Sequence, residues 1–187
     1  MTEEIIIAGF GGQGVMSMGK ILAYAGLIEN LEVSWMPSYG PEMRGGTANV
    51  IVILSDEKIS SPILSKFDTA IILNQQSLDK FENSVKSGGI LIFDYNGINR
   101  MPQREDIDIY GIHALEEAVK MNLSKIFNMF VLGGYLKIKP IVKFESVEEA
   151  LKKVLPKRNH SLIPMNLEAL KRGYEIVEPI KQYKGIK

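Results

Sequence analysis

Ile5-Ile6-Ile7-Ala8-Gly9-Phe10-Gly11-Gly12-Gln13-Gly14, close to the start of the chain, decides the fold class. The first four residues form a short, continuous apolar run, which is typical of a strand buried on both faces of a parallel sheet. Glycines follow at once, and apolar residues then recur at helical spacing, which predicts a helix over residues 13–29. With a second strand predicted over 31–36, this order indicates a Rossmann-like, doubly wound α/β fold with a mostly parallel sheet flanked by helices.

The rest of the sequence predicts more strands and then a helical C-terminal part. The predicted strands are 49–54, 68–73, 90–94 and a short edge strand over 107–110, with an extended segment over 59–62. The predicted helices pass through Leu78 and Phe81 and cover 113–121, 126–136 and 164–177, with Ser146 expected to cap another helix. Since no repeat or linker divides the chain, we expect a single domain over residues 1–187.

Composition and charge exclude several classes of protein. The chain has 45% apolar and 24% charged residues, which are ordinary proportions for a globular protein. Its 22 basic and 22 acidic residues balance, so the basic excess of a nucleic-acid-binding protein is missing. No stretch approaches the ~20 apolar residues of a membrane span. The acidic N-terminus is unlike a signal peptide, and we expect a cytoplasmic protein.

The absence of cysteine restricts the chemistry of this chain. With no cysteine in 187 residues, neither a disulfide nor a thiolate-ligated iron–sulfur cluster can form within it. We therefore expect no redox cofactor here. The two histidines, His113 and His160, stand far apart in sequence and do not suggest a metal site. Asp94 ends a predicted strand, where a carboxylate serves in catalysis or caps a turn.

The glycine turn, residues 9–14, is the first candidate site. Its glycines fit the dinucleotide-binding spacing G-x-G-x-x-G, and Gly12 is an addition to it. The free amides and the positive end of the following helix suit an anion. That motif also needs an acidic residue about 20 positions later, but Ser34 and Trp35 stand near the end of the second predicted strand. NAD or FAD binding is therefore disfavoured, while another phosphate-bearing ligand and a purely structural role remain open.

A second glycine-rich loop follows the second predicted strand. Arg44 beside two glycines can present a guanidinium and bare amides to a phosphate or carboxylate. Glu42 can equally pair with Arg44 and stiffen the loop. If the first two strands are neighbours, both loops lie at the same carboxyl edge of the sheet. The candidate ligand-binding or interface residues are Gly9, Gly11, Gly12, Gln13, Gly14, Ser38, Tyr39, Gly40, Glu42, Arg44, Gly45, Gly46 and Asn128.

Taken in order, the two loops resemble the paired motifs of a known family. Gly9-Phe10-Gly11-Gly12-Gln13-Gly14-Val15 and Ser38-Tyr39-Gly40-Pro41-Glu42-Met43-Arg44-Gly45-Gly46 are similar to those of the gamma subunit of 2-oxoacid:ferredoxin oxidoreductases. The resemblance continues over residues 55–56, 59–62, 127–133 and 166–173 and spans residues 4–177.

The resemblance implies a subunit of an oxidoreductase. Such enzymes convert a 2-oxoacid and coenzyme A to an acyl-CoA and carbon dioxide and reduce ferredoxin, with thiamine diphosphate supporting the carbanion chemistry. Thiamine diphosphate, magnesium and iron–sulfur clusters are implied in partner subunits: alpha, beta and a ferredoxin-like chain. This chain would have a structural role or assist the coenzyme A site, without catalytic residues of its own. The Pro41–Gly46 form resembles members acting on 2-oxoglutarate or a branched-chain 2-oxoacid.

Other functions remain as alternatives at this point. They are a free-standing Rossmann-type nucleotide-binding protein, a stand-alone ligand-binding or regulatory module, and the smaller subunit of indolepyruvate ferredoxin oxidoreductase. We also expect an apolar surface near the two loops through which the isolated chain self-associates. Its expected members are Met16, Met18, Trp35, Met36 and Met43.

Overall fold

The computed structural model describes residues 1–38 and 47–180. In that part of the chain, seven strands form one sheet in the order β2-β3-β1-β4-β5-β6-β7. The strands are β1 Thr2–Phe10, β2 Glu32–Ser38, β3 Thr47–Ser55, β4 Phe67–Ile72, β5 Val85–Asp94, β6 Asp108–Ile112 and β7 Glu178–Pro179. The helices are α1 Val15–Ile28, α2 Gln75–Phe81, α3 Ala114–Lys120, α4 Phe127–Ile138, α5 Phe144–Val154 and α6 Ile163–Ile176.

The strand directions confirm the prediction of a doubly wound, mostly parallel sheet. β1, β4, β5 and β6 are parallel to one another. β3 is antiparallel to both β1 and β2, and the short β7 is antiparallel to β6. The first two strands are therefore not neighbours, because β3 lies between them. Since both oppose β3, they still end at the same edge of the sheet.

The sheet is buried on both faces, as the apolar run in β1 predicts. Ile5 and Ile7 face the larger core, which includes side chains from α1 and α3 to α6. Ile6 and Ala8 face the opposite way, into a smaller cluster that includes α2. Each of these four residues is at most 1% exposed. Side chains alternate between the faces of a strand, so a continuous apolar run is suited to this position.

Helix α5 runs back along α1. Its N-cap residue, Lys143, donates its backbone N–H to Glu29 at the end of α1, with N···Oε1 2.6 Å. The buried stripe of α5 includes Val147, Ala150 and Leu151, as expected for an amphipathic helix. The cap expected at Ser146 is wrong, since Ser146 is buried in the first turn of the helix.

Helices α4 and α6 meet at two glycines. A Cβ atom built on Gly133 would collide with the carbonyl oxygen of Leu170, and one on Gly173 with that of Phe130. The two backbones therefore touch where the helices cross.

The expected short edge strand differs from the structure. β6 is not the edge strand, because β7 pairs with it and Ile180 N donates to Ile109 O at 2.8 Å. Residues 59–62, expected to be an extended segment, lie between β3 and β4 and belong to no helix or strand. In the described part of the chain, no helix has the length and apolar character needed to cross a bilayer.

Candidate functional site

The glycine turn lies at the carboxyl edge of the sheet, between β1 and β4. From β1 the chain crosses by α1 to β2 on one side, whereas from β4 it crosses by α2 to β5 on the other. Open α/β sheets bind ligands at such a switch point. Gly12 and Gly14 have φ values of 96° and 78°, in the left-handed region that favours glycine. The sequence thus builds the turn with the residue that its backbone requires.

The start of α1 opens into a shallow cavity of 290 Å³. Gly14 occupies the N-cap position, no side chain caps the helix, and the first turn has no acidic residue. The amides of the first turn have no partner within the helix, and the helix dipole is positive there. This end of the cavity therefore suits an anionic group such as a phosphate. The cavity is lined by Phe10, Gly11, Gly12, Gly14, Val15, Met16, Ser17 and Ala48.

Gln13 fastens the turn to the sheet. Its Oε1 accepts a hydrogen bond from Phe10 N at 2.6 Å, and its Nε2 donates to Leu73 O at 3.2 Å. Gly9 makes room for this amide, since a Cβ there would lie 2.6 Å from the Gln13 Oε1. Both the oxygen and the nitrogen of the Gln13 amide thus form hydrogen bonds within the protein, one to the end of β1 and one to the end of β4.

Asn128 supports the turn from α4. Its Nδ2 donates to the carbonyl oxygen of Gly14 at 3.3 Å, and the residue is 7% exposed. A Cβ on Gly14 would lie 2.6 Å from this Nδ2. The structure therefore brings two candidate residues together that are 114 positions apart in sequence.

The residues on either side of the second loop lie near the glycine turn. Ser38 ends β2, exposed, and Thr47 begins β3 in register with Phe10 of β1. Ala48, the next residue, lines the cavity of the glycine turn. Both ends of the loop are therefore at the edge that carries the glycine turn. The candidate residues Tyr39, Gly40, Glu42, Arg44, Gly45 and Gly46 lie outside the described residues.

Asp94 caps α3. Its Oδ1 accepts from the backbone N–H of Ala114 at 2.9 Å and of Leu115 at 3.3 Å, and Asp94 is 1% exposed. Burial raises the pKa of its carboxyl group, while the two backbone hydrogen bonds oppose the rise. The carboxylate at the strand end thus serves the fold.

A stacked pair beside this cap was not anticipated from the sequence. The rings of Tyr95 and His113 lie 4.1 Å apart between centroids at an interplanar angle of 16°. The Tyr95 hydroxyl donates to Glu178 Oε1 at 3.1 Å. Burial, with the neighbouring carboxylate, raises the pKa of Tyr95 to about 12. Nothing in the spacing of these three residues signals that β5, α3 and β7 meet.

The expected apolar surface near the loops is smaller than predicted. Met18 is fully buried in the core beneath α1, so it cannot belong to an exposed surface. Met16, Trp35 and Met36 are half-buried, and Met43 is outside the described residues. Among residues 1–38 and 47–180, no group of three His, Cys, Asp or Glu side chains is arranged to hold a metal ion.

Three similar proteins are subunits of 2-oxoacid oxidoreductases. The 2-oxoglutarate synthase subunit KorC of Methanocaldococcus jannaschii is 35% identical over 96% of both chains. The ketoisovalerate oxidoreductase subunit VorA of Methanothermobacter thermautotrophicus is 39% identical over 92% of this chain but 36% of its own length. The common gamma subunit of the Thermococcus litoralis pyruvate/ketoisovalerate oxidoreductases is 30% identical over 80% of this chain and 84% of its own.

Two solved structures share the fold. The gamma subunit of a Geobacter sulfurreducens keto/oxoacid ferredoxin oxidoreductase gives a TM-score of 0.80 at 24% identity, over 95% of this chain and 99% of that one. The 2-oxoglutarate:ferredoxin oxidoreductase of Magnetococcus marinus, with 2-oxoglutarate, coenzyme A and succinyl-CoA bound, gives 0.83 at 27% identity. The match covers 93% of this chain and 30% of that one.

These relatives confirm the resemblance found in the paired loops. They favour a subunit of a 2-oxoacid:ferredoxin oxidoreductase over a free-standing nucleotide-binding protein. The chain spans about a third of the length of its VorA relative and nearly all of the length of KorC. A family model described as pyruvate ferredoxin/flavodoxin oxidoreductase matches residues 4–176, and the chain belongs to that family.

Proposed function

We propose that this chain is the gamma subunit of a cytoplasmic 2-oxoacid:ferredoxin oxidoreductase. In the proposed reaction, a 2-oxoacid, coenzyme A and two oxidised ferredoxins give acyl-CoA, carbon dioxide, two reduced ferredoxins and a proton. The similarity to KorC over nearly the whole of both chains carries the proposal, and the uncapped start of α1, open to the cavity of the glycine turn, supports it. Relatives named for 2-oxoglutarate and ketoisovalerate make 2-oxoglutarate or a branched-chain 2-oxoacid the substrate that we favour.

The redox chemistry belongs to the partner subunits in this proposal. A chain without cysteine offers no thiolate for an iron–sulfur cluster. Thiamine diphosphate, magnesium and the clusters would reside in alpha, beta and a ferredoxin-like subunit. Thiamine diphosphate supplies the stabilised carbanion when bound there.

For this chain we propose a contribution to the coenzyme A side of the site. Coenzyme A carries several phosphates, and helix starts with free amides bind phosphate through N–H groups and the helix dipole. The Magnetococcus marinus relative is described with coenzyme A bound. Gly11, Gly12 and Gly14 would let a phosphate approach the backbone, while Gln13 and Asn128 hold the turn in place.

The substitution Ser17→Glu tests this role. Ser17 is exposed, lines the cavity and lies in the first turn of α1. A carboxylate at that position favours the helix, because it complements the dipole, but repels a phosphate. We expect an assembled complex whose Michaelis constant for coenzyme A rises about tenfold, equivalent to ~1.4 kcal/mol. The uncharged Ser17→Gln is the matched control.

Two outcomes would contradict a coenzyme A role. If Ser17→Glu leaves the coenzyme A kinetics unchanged in an intact complex, the cavity does not receive a phosphate. If the variant subunit no longer co-purifies with alpha and beta, the turn is an assembly surface. Arg44→Ala separates the same two roles for the second loop. Loss of a charge-assisted hydrogen bond to coenzyme A would cost ~1.5–3 kcal/mol of binding, whereas loss of a contact between subunits would release the chain.

A further inference from the structure

The zero net charge of the chain conceals an uneven distribution along the sequence. Residues 1–150 contain 13 basic and 19 acidic residues, whereas residues 151–187 contain nine basic and three acidic ones. No acidic residue occurs from Ala150 to Leu167, although four basic residues do. Residues 151–187 therefore carry a formal net charge of +6, and residues 1–150 carry −6.

Three of these cations are close to one another in sequence and have no acidic partner among the described residues. Lys153 lies in the last turn of α5, and Lys157 and Arg158 occupy the 3-10 turn that leads to α6; all three are exposed. None of them forms an ion pair with another described residue, whereas Lys152 pairs with Glu149, Nζ···Oε1 2.5 Å. Their positive charge is consequently available to another molecule. We call the surface formed by Lys153, Lys157, Arg158, Leu162 and Met165 the basic ridge.

The backbone of the basic ridge is held by its own hydrogen bonds. Asn159 N donates to Pro156 O at 2.7 Å, and the His160 Nε2–H donates to Leu155 O at 3.1 Å. Both hydrogen bonds lie within the connection between α5 and α6. The cations are thus presented from a defined turn, so little backbone ordering is needed on binding.

Two exposed apolar side chains follow the cations in sequence. Leu162 is 38% exposed and Met165 39% exposed, at the start of α6. Apolar side chains with a polar rim around them are the general composition of a protein interface. Permanent interfaces are larger and more apolar, whereas weak redox encounters are small and depend on electrostatic attraction. The composition of the basic ridge therefore fits a transient protein partner.

The direction of α5 fixes which end of the molecule carries the basic ridge. Because α5 begins beside Glu29 at the end of α1 and runs back along it, Lys153 lies toward the start of α1. The start of α1 carries the glycine turn at the carboxyl edge of the sheet. The basic ridge and the cavity therefore belong to the same end of the subunit.

We propose that the basic ridge is a docking surface for the electron-acceptor protein of the complex. The family is named for ferredoxin and flavodoxin as acceptors, and an acceptor protein with an acidic surface would be complementary to the basic ridge. Since a chain without cysteine offers no thiolate for an iron–sulfur cluster, the electrons would come from a cluster in another subunit, and the basic ridge would raise the rate of encounter. Electrostatic steering of this kind changes association rates by 10–1,000-fold and weakens with salt. The inference rests on the proposed function, since it requires the assembled complex.

The test uses the complex carrying Lys157→Glu and Arg158→Glu together. The rate is measured at low salt with ferredoxin and, separately, with methyl viologen, a small dye that needs no protein docking. We expect kcat/KM for ferredoxin to fall at least tenfold, its dependence on salt to flatten, and the methyl viologen rate to stay unchanged. The matched control reverses two exposed lysines elsewhere, Lys58→Glu with Lys125→Glu, and should retain the ferredoxin kinetics.

Several results would overturn the proposal. An equal fall in the rates with ferredoxin and with methyl viologen would show that the substitutions impair the reaction itself and not docking. Unchanged ferredoxin kinetics would exclude a docking role. Loss of the variant subunit from the purified complex would make the basic ridge a contact with alpha or beta. Binding of the wild-type complex to anionic lipid vesicles, lost in the variant while ferredoxin kinetics persist, would assign it to a membrane surface. A wild-type chain that never co-purifies with alpha and beta would instead refute the proposed function.

Discussion

The Gln13 side chain connects the glycine turn to the end of β4, through a hydrogen bond from its Nε2 to Leu73 O at 3.2 Å. Its Oε1 at the same time accepts from Phe10 N at 2.6 Å. The single amide therefore joins the ends of β1 and β4 on the two sides of the switch point. A ligand in the cavity would meet a turn that is already fixed, which reduces the ordering that binding requires.

Replacing Gln13 should loosen the turn. We expect Gln13→Ala to lower the free energy of unfolding by about 1–2 kcal/mol, because two hydrogen bonds are lost. Gln13→Glu should restore less than half of this, since a carboxylate accepts from Phe10 N but cannot donate to the Leu73 carbonyl. Chemical denaturation measures both, with Gln103→Ala as an exposed control. Equal stability of Gln13→Ala and wild type would show that the bridge is immaterial.

Gly14 and Asn128 should be energetically coupled. In Gly14→Ala, the alanine would have to adopt a left-handed backbone conformation with φ 78°. Its Cβ would also lie 2.6 Å from the Asn128 Nδ2. The backbone strain alone costs roughly 1–2 kcal/mol, and the overlap adds to it. We expect the double variant with Asn128→Ala to be more stable than the sum of the single changes predicts, because the smaller side chain removes the overlap but not the strain. A double-mutant cycle measures this coupling, and strict additivity would contradict it.

The local elements of the fold could be predicted from the sequence, because each has a pattern of its own. The apolar run in β1, the glycines before α1 and the apolar spacing of α4 all fall within a few residues of the observed elements. Pairing between strands has no comparable local signal. The insertion of β3 between β1 and β2 depends on the antiparallel return of the chain after the second loop, which spacing alone does not specify.

The candidate site could be predicted in its glycines but not in its supporting contacts. Gly12 and Gly14 are recognisable because a positive φ favours glycine. The bonds from Gln13 to Leu73 and from Asn128 to Gly14 join residues 60 and 114 positions apart, so they depend on tertiary packing. The cap expected at Ser146 failed because the packing of α5 on α1 starts that helix earlier, at Phe144.

Two adjacent glycines of α4 should respond differently to alanine. Gly133→Ala drives a methyl group into the carbonyl oxygen of Leu170, backbone that cannot move without separating α4 from α6. We expect a loss of about 3 kcal/mol, at the upper end of the cost of overpacking. At Gly134 the nearest atom, Ile112 Cδ1, is 3.0 Å away and belongs to a side chain that can shift. Gly134→Ala should therefore be near neutral, since alanine gains ~1 kcal/mol in helix propensity.

Thermal unfolding of the two variants gives the comparison directly. Similar melting temperatures for Gly133→Ala and Gly134→Ala would show that the helices separate freely at this crossing. Helix content should be checked by circular dichroism, because a general loss of structure in both variants would also remove the expected contrast.

The buried carboxyl group of Asp94 should make stability depend on pH in a defined direction. Burial raises the pKa of Asp94 above the ordinary value of 3.8. Between pH 3.8 and the raised pKa, Asp94 therefore binds more protons in the folded protein than in the unfolded chain. The stabilising contribution of this group is complete below pH 3.8 and is lost as the pH rises through the raised pKa. Acidic groups with lowered pKa values, such as Asp56, act in the opposite sense in the whole protein.

The substitution Asp94→Asn isolates that contribution. Asparagine keeps an acceptor for the amides of Ala114 and Leu115 but does not ionise, and the two residues are comparable as helix caps. We expect the stability of the variant relative to wild type to increase as the pH is raised from 4 to 7, because wild type alone loses the contribution of the protonated carboxyl group. Urea unfolding at several pH values measures this difference, with the exposed Asp108→Asn as the control. A difference that falls with rising pH would mean that the helix start favours the ionised carboxylate more strongly than burial opposes it.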